Sequence, residues 1–181
     1  MLTEHLIFLD LETTGSSAAR DRVTEVGLVE VNHGRVLGEW ATLVNPGVNI
    51  PPMIQSLTGI TDEMVARAPS FADISRELLD RIDGKLLVAH NARFDYGFLR
   101  NEFQRIGIDY TSRVLCTVKL SRRLFPHHQR HNLDILMTRH GITCDARHRA
   151  LGDARVLWQL TQCWHRELDA ATIASAAELA A

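Results

Sequence analysis

The sequence contains few cysteines, and their positions exclude two common uses of this residue. Three cysteines occur in 181 residues, at positions 116, 144 and 163, and none belongs to a C-x-x-C pair. An odd number of widely separated thiols argues against a disulfide framework and against a zinc ribbon. We therefore expect free thiols without a role, in a reducing compartment such as the cytoplasm.

Long apolar segments are also missing. No run approaches the roughly 18–20 apolar residues that a membrane-spanning helix needs, and residues 1–5 lack the basic and apolar regions of a signal peptide. We therefore expect a cytoplasmic protein without a membrane partner. Hydrophobic residues make up 45% of the chain and the net charge is −2, which indicates one ordered domain with a sizeable core.

The hydrophobic pattern predicts an α/β fold built on a mixed five-stranded sheet. Apolar segments at 6–9, 23–31 and 36–44 read as three strands, and their connections are too short for parallel crossovers, so these strands should be antiparallel. Shorter strands at 85–89 and 113–118 then alternate with helices at 94–106, 119–125, 133–140 and 150–167. We assign residues 1–168 to one domain and residues 169–181 to an Ala-rich C-terminal helix or linker.

Two carboxylates stand at the end of the first predicted strand. Asp10 and Glu12 are two residues apart, and side chains at that spacing project from the same face of a strand. Two like charges at a buried strand end are costly unless a cation lies between them. Oxygen ligands suit Mg²⁺ or Mn²⁺. Two solvated acids at a strand end are the alternative that this stretch alone leaves open.

Three further residues supply the other parts of a candidate site. Asp95 lies in the first turn of the helix after the 85–89 strand, where an ordinary helix-start Asp is the alternative. His148 and Asp153 can converge only if His148 lies in the loop before the last long helix and Asp153 within that helix. Four carboxylates can hold two divalent ions around a phosphodiester, and a histidine can accept a proton near neutral pH.

The three motifs that contain these residues resemble those of a known enzyme family. D-L-E-T-T-G at 10–15, H-N-A-R-F-D at 90–95 and H-R-A-L-G-D at 148–153 are similar to the three exonuclease motifs of the DEDDh 3′→5′ exonucleases. The resemblance is to the DnaQ-like branch, which includes the proofreading epsilon subunit of bacterial DNA polymerase III, and it covers roughly residues 5–165. It implies a ribonuclease-H-like fold and an exonuclease domain over residues 1–168.

The resemblance also implies a role for each catalytic candidate. Asp10 would bridge two Mg²⁺ or Mn²⁺ ions, and Glu12 and Asp153 would complete the coordination of the first. Asp95 would support the second ion, largely through water. His148 would be the general base, and a histidine at this position places the chain in the DEDDh branch.

Substrate contacts are expected from four residues. In the family, Glu12 and the backbone around Thr13 hold the terminal 3′-OH, and the middle loop packs on the terminal nucleotides. Relatives often carry histidine where this chain has Thr58, so Thr58 and the neighbouring Leu57 are the expected contacts of that loop here. Asn91 either contacts the substrate or caps the helix that contains Asp95.

Charge distribution points to a polyanionic partner. Residues 119–155 carry eight Lys and Arg against three Asp and Glu, although the whole chain is slightly acidic. We expect backbone phosphates to be attracted by the arginines of this basic block, among them Arg122, Arg123, Arg130, Arg147 and Arg149. A basic solvated face without a ligand is the alternative.

The predicted activity is that of a metal-dependent 3′→5′ exonuclease, which releases nucleoside 5′-monophosphates from single-stranded or frayed DNA in proofreading or repair. One alternative is an exoribonuclease that trims RNA 3′ ends. Another is a non-catalytic nucleic-acid-binding or polymerase-accessory module, whose expected sign is the loss of a carboxylate. Nucleic acid 3′ ends are the expected partners, together with a polymerase subunit or a fused nuclease domain.

Overall fold

A computed structural model of the chain describes residues 5–178 and residue 180. Residues 1–4, to which the signal-peptide analysis mainly applied, lie outside the described residues. Positions 179 and 181 of the predicted C-terminal segment also lie outside them. The described strands are β1 (His5–Thr13), β2 (Val23–Asn32), β3 (Arg35–Leu43), β4 (Leu86–Ala89) and β5 (Val114–Cys116). The described helices are α1 (Pro52–Thr58), α2 (Asp62–Val65), α3 (Phe71–Ile82), α4 (Arg93–Arg105), α5 (Thr117–Leu124), α6 (Leu133–His140), α7 (Ala150–Glu167) and α8 (Ala170–Glu178).

The strands form one mixed sheet with β1 at its centre. Their spatial order is β3-β2-β1-β4-β5. β1 pairs antiparallel with β2, and β2 with β3, whereas β4 is parallel to both β1 and β5. The predicted five-stranded sheet with three antiparallel strands first is therefore confirmed. The parallel strands β1, β4 and β5 end at the same edge, which is where sites collect in such sheets.

Helices cover both faces of this sheet. Leu6 and Phe8 of β1 project into a core shared with Leu157 of α7, whereas Ile7 and Leu9 project into a core formed with α3 and α4. This alternation follows from the two-residue period of a strand. Because Asp10 continues the Leu6 and Phe8 series, its carboxylate projects toward the face that α7 covers.

The last predicted strand is too long. Residues 113–118 were expected to be extended, but β5 ends at Cys116 and α5 begins directly at Thr117. The β-branched Thr117 and Val118 favour a strand locally. The Thr117 hydroxyl donates a hydrogen bond to the Ala89 carbonyl at 3.2 Å and lies 2.9 Å from His90 Nδ1. These tertiary contacts accompany the helical turn at the start of α5. The third strand, in contrast, differs from its predicted bounds by only one residue at each end.

The described part of the C-terminal segment is a packed helix. Ile173 and Ala177 of α8 are buried in the core that α7 shares. The Cys116 N–H donates to the Ala180 carbonyl at 3.3 Å, so residue 180 covers part of the β5 edge. Residues 170–178 are therefore helical, which is one of the two alternatives given for the C-terminal segment. The domain boundary between residues 168 and 169 stays a prediction. None of the described helices is long and apolar enough to span a membrane.

Candidate active site

Three carboxylates from two elements converge at the end of β1. Carboxylate oxygens of Asp10, Glu12 and Asp153 all lie within 4.8 Å of one another. Asp10 and Glu12 share a face of β1, as their spacing predicts, and Asp153 comes from the first turn of α7, 141 positions further along the chain than Glu12. This convergence requires α7 to begin directly over the β1–β2 pair.

An ion pair and a backbone hydrogen bond fix the start of α7. The buried Glu25 of β2 accepts from Arg149 Nε at 3.1 Å and from the Ala150 N–H at 2.8 Å. Ala150 is the first residue of α7, and an anion at a helix N-terminus satisfies its free N–H groups. Glu25 pairs directly with Glu12 across the strands. The Glu25 carboxylate therefore ties the beginning of α7 to the strand next to the site.

A glycine allows the helix to approach this closely. Gly27 is the partner of Asp10 in the β1–β2 register. A Cβ atom at residue 27 would lie 2.1 Å from the backbone nitrogen of Leu151 and 2.3 Å from the carbonyl carbon of Ala150. Only glycine fits under this backbone contact. An isolated glycine inside a strand pattern can signal a close backbone approach. Gly27 within the Val-rich second strand is the feature of the sequence that points to this contact.

His148 lies in the loop before α7, as predicted. Its backbone has a positive φ of 57°, a conformation that a non-glycine residue adopts only when its surroundings hold it there. The loop packs tightly on the helix, because a Cβ atom at Gly152 would lie 2.1 Å from the Ala146 carbonyl oxygen. His148 is half-buried and lines the same cavity as Asp10, Glu12 and Asp153.

Asp95 lies beside the three-carboxylate cluster without belonging to it. Its side chain is buried in the first turn of α4. Burial raises the pKa of Asp95 to about 8, although the backbone N–H groups of Asp95 itself and Leu11 donate hydrogen bonds to its carboxylate and oppose the shift. The contact with Leu11 places Asp95 against β1 between Asp10 and Glu12. Its role as a metal ligand stays a prediction.

The carboxylates of the cluster are only partly neutralised by neighbouring cations. Burial raises the pKa of Asp10 well above its ordinary range, and the carboxylates of Asp95, Asp153 and Glu12 raise it further. Burial and the neighbouring Asp153 also raise the pKa of Glu12 to about 7. Asp153 Oδ1 is buried without a hydrogen-bond partner among the described residues. Buried, crowded oxygen ligands with a free lone pair fit a divalent cation.

Arg147 is the cation that lies nearest to these acids. It forms ion pairs with Asp153 Oδ2 and, at 2.8 Å, with Asp134. Arg149 is held by Glu25. Two arginines of the basic block thus neutralise carboxylates of the chain itself, which the sequence hypothesis of phosphate attraction did not anticipate.

The acids form one wall of a cavity of about 620 Å³, here called the acidic cavity and bounded by Asp10, Glu12, His148 and Asp153. Apolar side chains also line it. Met53 and Leu57 of α1 line it and are 77% and 54% exposed, and Phe94 of α4 lines it as well. Acidic and exposed apolar side chains in one cavity suit a ligand with a charged group and a flat apolar ring. Met53 and Phe94 were not among the predicted site residues.

Three of the four predicted substrate contacts line the acidic cavity, namely Thr13, Leu57 and Thr58. The Thr13 hydroxyl donates to the Gly15 carbonyl at 2.6 Å. The Thr58 hydroxyl donates to the Ile54 carbonyl and accepts from the Ile60 N–H. These hydroxyl groups therefore already have partners within the chain, and Leu57 offers the exposed apolar surface of the three.

Asn91 lies outside the acidic cavity. It has a positive φ of 64° and lines two neighbouring clefts. The N-cap of α4 is Ala92, and no side chain caps this helix. The helix-cap alternative for Asn91 is therefore wrong, and a contact with substrate stays a prediction.

A ribonuclease-H-like sheet with convergent carboxylates and an adjacent histidine defines an α/β domain whose site is built for divalent cations. The model of the exonuclease family RNase_T matches residues 7–161, and the chain belongs to this family. The resemblance inferred from the three motifs is thus confirmed. Exonucleases are hydrolases of phosphodiester bonds, and the domain is of that enzyme class.

Relatives and solved structures agree with this assignment. The DNA polymerase III PolC-type protein of Clostridium perfringens is 36% identical over 152 residues, which are 84% of this chain and 10% of that protein. The DNA polymerase III subunit epsilon-like protein of Rhodobacter capsulatus is 43% identical over 152 residues, which are 81% of this chain and 22% of that protein. The chain thus spans less than a quarter of either relative.

Exonuclease X, solved in complex with 5′ overhanging duplex DNA, superposes with a TM-score of 0.75 at 26% identity, and the match covers 95% of this chain and 99% of that one.

Proposed function

We propose that this domain is a divalent-metal-dependent 3′→5′ exonuclease that acts on single-stranded or frayed DNA ends and releases nucleoside 5′-monophosphates. The observation that carries the proposal is the convergence of Asp10, Glu12 and Asp153 beside His148 in one open cavity. All carboxylates of the three motifs are present, which argues against the non-catalytic alternative.

Asp10, Glu12 and Asp153 would hold the cations, Mg²⁺ or Mn²⁺ in our proposal, with Asp95 supporting them from the first turn of α4. When bound, two such cations would act as Lewis acids on the scissile phosphate and stabilise the attacking and leaving oxygens. The chain positions these ligands from the buried strand β1 and from a helix that is fixed to the neighbouring strand β2. Rigid placement of this kind is what catalytic constellations require.

His148 is the proposed general base. Its imidazole lines the acidic cavity beside the three carboxylates, where a histidine ring nitrogen can accept a proton. It would take the proton of the attacking water as the new P–O bond forms, and the bond to the leaving 3′ oxygen breaks. The tight contact of Gly152 with the loop holds the imidazole beside the carboxylates.

The loop after β1 would select chain ends. Thr14 and Arg22 exchange two hydrogen bonds across this loop, at 2.8 and 3.0 Å. Arg22 is in turn held by the buried Glu102 of α4 at 2.8 and 3.0 Å. We propose that the braced loop closes the cavity beyond Thr13, where Glu12 and the backbone hold the terminal 3′-OH. Leu57, Met53 and Phe94 would contact the terminal base.

DNA is the proposed polymer, because two relatives carry DNA polymerase III names and Exonuclease X was solved with DNA. A role in proofreading or repair follows from the same names, with the domain acting beside a polymerase subunit or within a longer protein. RNA 3′ ends are the alternative substrate and are compared directly in the test.

The test is digestion of end-labelled single-stranded DNA, duplex DNA and RNA of one sequence, with products resolved to one nucleotide. We expect stepwise shortening from the 3′ end with Mg²⁺ or Mn²⁺ and none with EDTA. Asp10→Ala and Asp153→Ala should abolish hydrolysis. Asp80→Ala on the exposed surface of α3 is the control and should keep wild-type activity. Full activity of Asp10→Ala would refute the mechanism.

The base is tested separately. His148→Ala should lower kcat by roughly 10²–10⁴-fold, the usual contribution of general acid–base catalysis, while calorimetric Mn²⁺ affinity stays near that of the wild type. An equal loss of metal affinity would show that His148 acts on the cations and not on the proton.

A further inference from the structure

A second cleft lies beside the acidic cavity, between the first turns of α4 and α5. We call it the basic groove and define it by Arg93 and Tyr96 of α4 and by Lys119 and Arg122 of α5. Its volume is about 520 Å³. Each helix contributes a pair at i and i+3, so both side chains of each pair lie on one face. Two helix faces thus direct three cations and one aromatic ring into a common groove.

The basic groove and the acidic cavity each share lining residues with a third cleft between them. A connecting cleft is lined by Ser16, Asn91, Arg93 and Phe94, among others. It shares Ser16 and Phe94 with the acidic cavity, and Asn91 and Arg93 with the basic groove. An extended chain that leaves the acidic cavity past Phe94 therefore enters the basic groove over Asn91.

Two arginines of this groove are available for an external anion. Arg93 and Arg122 are exposed, and within the described residues neither forms an ion pair with a carboxylate. Other arginines near the sheet behave differently, since Arg149 is held by Glu25 and Arg155 by Glu39. Within the part of the chain that the structure describes, the charge at Arg93 and Arg122 is consequently not neutralised by a carboxylate.

Tyr96 adds an aromatic surface to the same groove. It is half-buried and lines the groove beside Arg93. A cationic groove interleaved with aromatic rings is the usual way to bind single-stranded nucleic acid, because the cations follow the phosphates and the rings stack on bases. Phe94 lines both the acidic cavity and the connecting cleft, and Tyr96 lines the basic groove.

We propose that the basic groove binds the phosphates of the substrate strand upstream of its 3′ end, so that the strand runs from the acidic cavity over Asn91 to Arg93 and Arg122. The inference rests on the proposed function and extends it with a second contact region. Phosphates in the groove would hold the strand by charge without reading its sequence. The site would favour long strands over short ones.

The experiment compares a dinucleotide with a single strand of about 15 nucleotides that has the same 3′ end. The ratio of their kcat/KM values is measured for the wild type and for the Arg93→Ala/Arg122→Ala double variant. We expect this ratio to fall about tenfold in the double variant. The slope of log affinity against log salt for the long strand should become shallower by about 1.4, at about 0.7 per lost phosphate contact.

The chain offers a matched control. Arg123 belongs to the basic block that was expected to attract phosphates, but it is exposed in a different cleft, which it lines with α8, and not in the basic groove. Arg123→Ala removes one positive charge from the same helix and should keep the wild-type ratio and salt slope. Arg93→Lys/Arg122→Lys should restore much of the ratio, because a lysine also binds a phosphate. Circular dichroism melting verifies that each variant is folded.

The outcomes separate the two proposals. If the wild type hydrolyses neither substrate, the proposed function fails, and fluorescence anisotropy of the labelled long strand still tests the groove. If the double variant matches Arg123→Ala in the ratio and in the salt slope, the groove proposal is overturned. DNA and RNA strands are both measured, and the same change with either polymer supports a phosphate site because both carry the backbone.

Discussion

Replacing Gly27 with alanine should disrupt the site from a position that touches no substrate. The added Cβ would lie 2.1 Å from the Leu151 nitrogen, and ordinary contact begins near 3.4 Å. The first turn of α7 must therefore move away from β2 by about 1.3 Å, the difference between these distances. Because the neighbour is backbone and not the end of a flexible side chain, this movement carries Asp153 and the His148 loop with it.

The magnitude follows from two effects. Overpacking of a core contact costs about 1–3 kcal/mol of the unfolding free energy, and occasionally more. Misplacement of catalytic groups by about 1 Å can cost roughly 10²-fold in rate. We therefore expect Gly27→Ala to lower the urea unfolding free energy by about 1–3 kcal/mol and kcat/KM on single-stranded DNA by about 100-fold.

Gly38 of the neighbouring strand β3 supplies the control. A Cβ atom at this exposed residue would meet nothing within 4 Å, so Gly38→Ala should be neutral or stabilising by up to about 1 kcal/mol. Urea unfolding, Mn²⁺ calorimetry and hydrolysis rates are measured on both variants. If Gly27→Ala behaves like Gly38→Ala in all three, the close α7–β2 contact does not set the geometry of the site.

Two further predictions concern charge. The pKa of Glu12, about 7 against an ordinary 4.5, and that of Asp95, about 8 against 3.8, are raised in the folded state, so their protonated forms are favoured there. The stability that these two protonated groups contribute is present below their ordinary pKa values and is lost as pH rises through about 7–8. Thermal melting in EDTA should show this loss of stability with rising pH, and added Mg²⁺ or Mn²⁺ should make the loss smaller. A melting temperature that does not change with pH would contradict the prediction. Glu25→Ala removes the partner of the half-exposed Arg149 and the acceptor at the start of α7, and should cost about 1–3 kcal/mol of unfolding free energy. Glu39→Ala breaks the more exposed ion pair with Arg155 and should lower the unfolding free energy by less than about 1 kcal/mol. Equal decreases of the urea unfolding free energy in the two variants would contradict the proposal that Glu25 fixes the start of α7.

The sequence by itself determined the features that depend on local pattern. The two-residue period of a strand placed Asp10 and Glu12 on one face, and the loop-to-helix boundary placed His148 before α7 and Asp153 within it. The three short motifs identified the enzyme class through their resemblance to the motifs of a known family. The antiparallel start of the sheet followed from loop lengths alone.

Only the tertiary structure decided how these pieces meet. The position of α7 depends on Glu25, which is 124 residues from Arg149 in the chain, and on the space above Gly27. The same long-range contacts separate Arg147 and Arg149, held by acids of the chain, from Arg122, which projects into the basic groove. Residue type and local periodicity carry no information about such pairings, because they arise from the relative placement of distant elements.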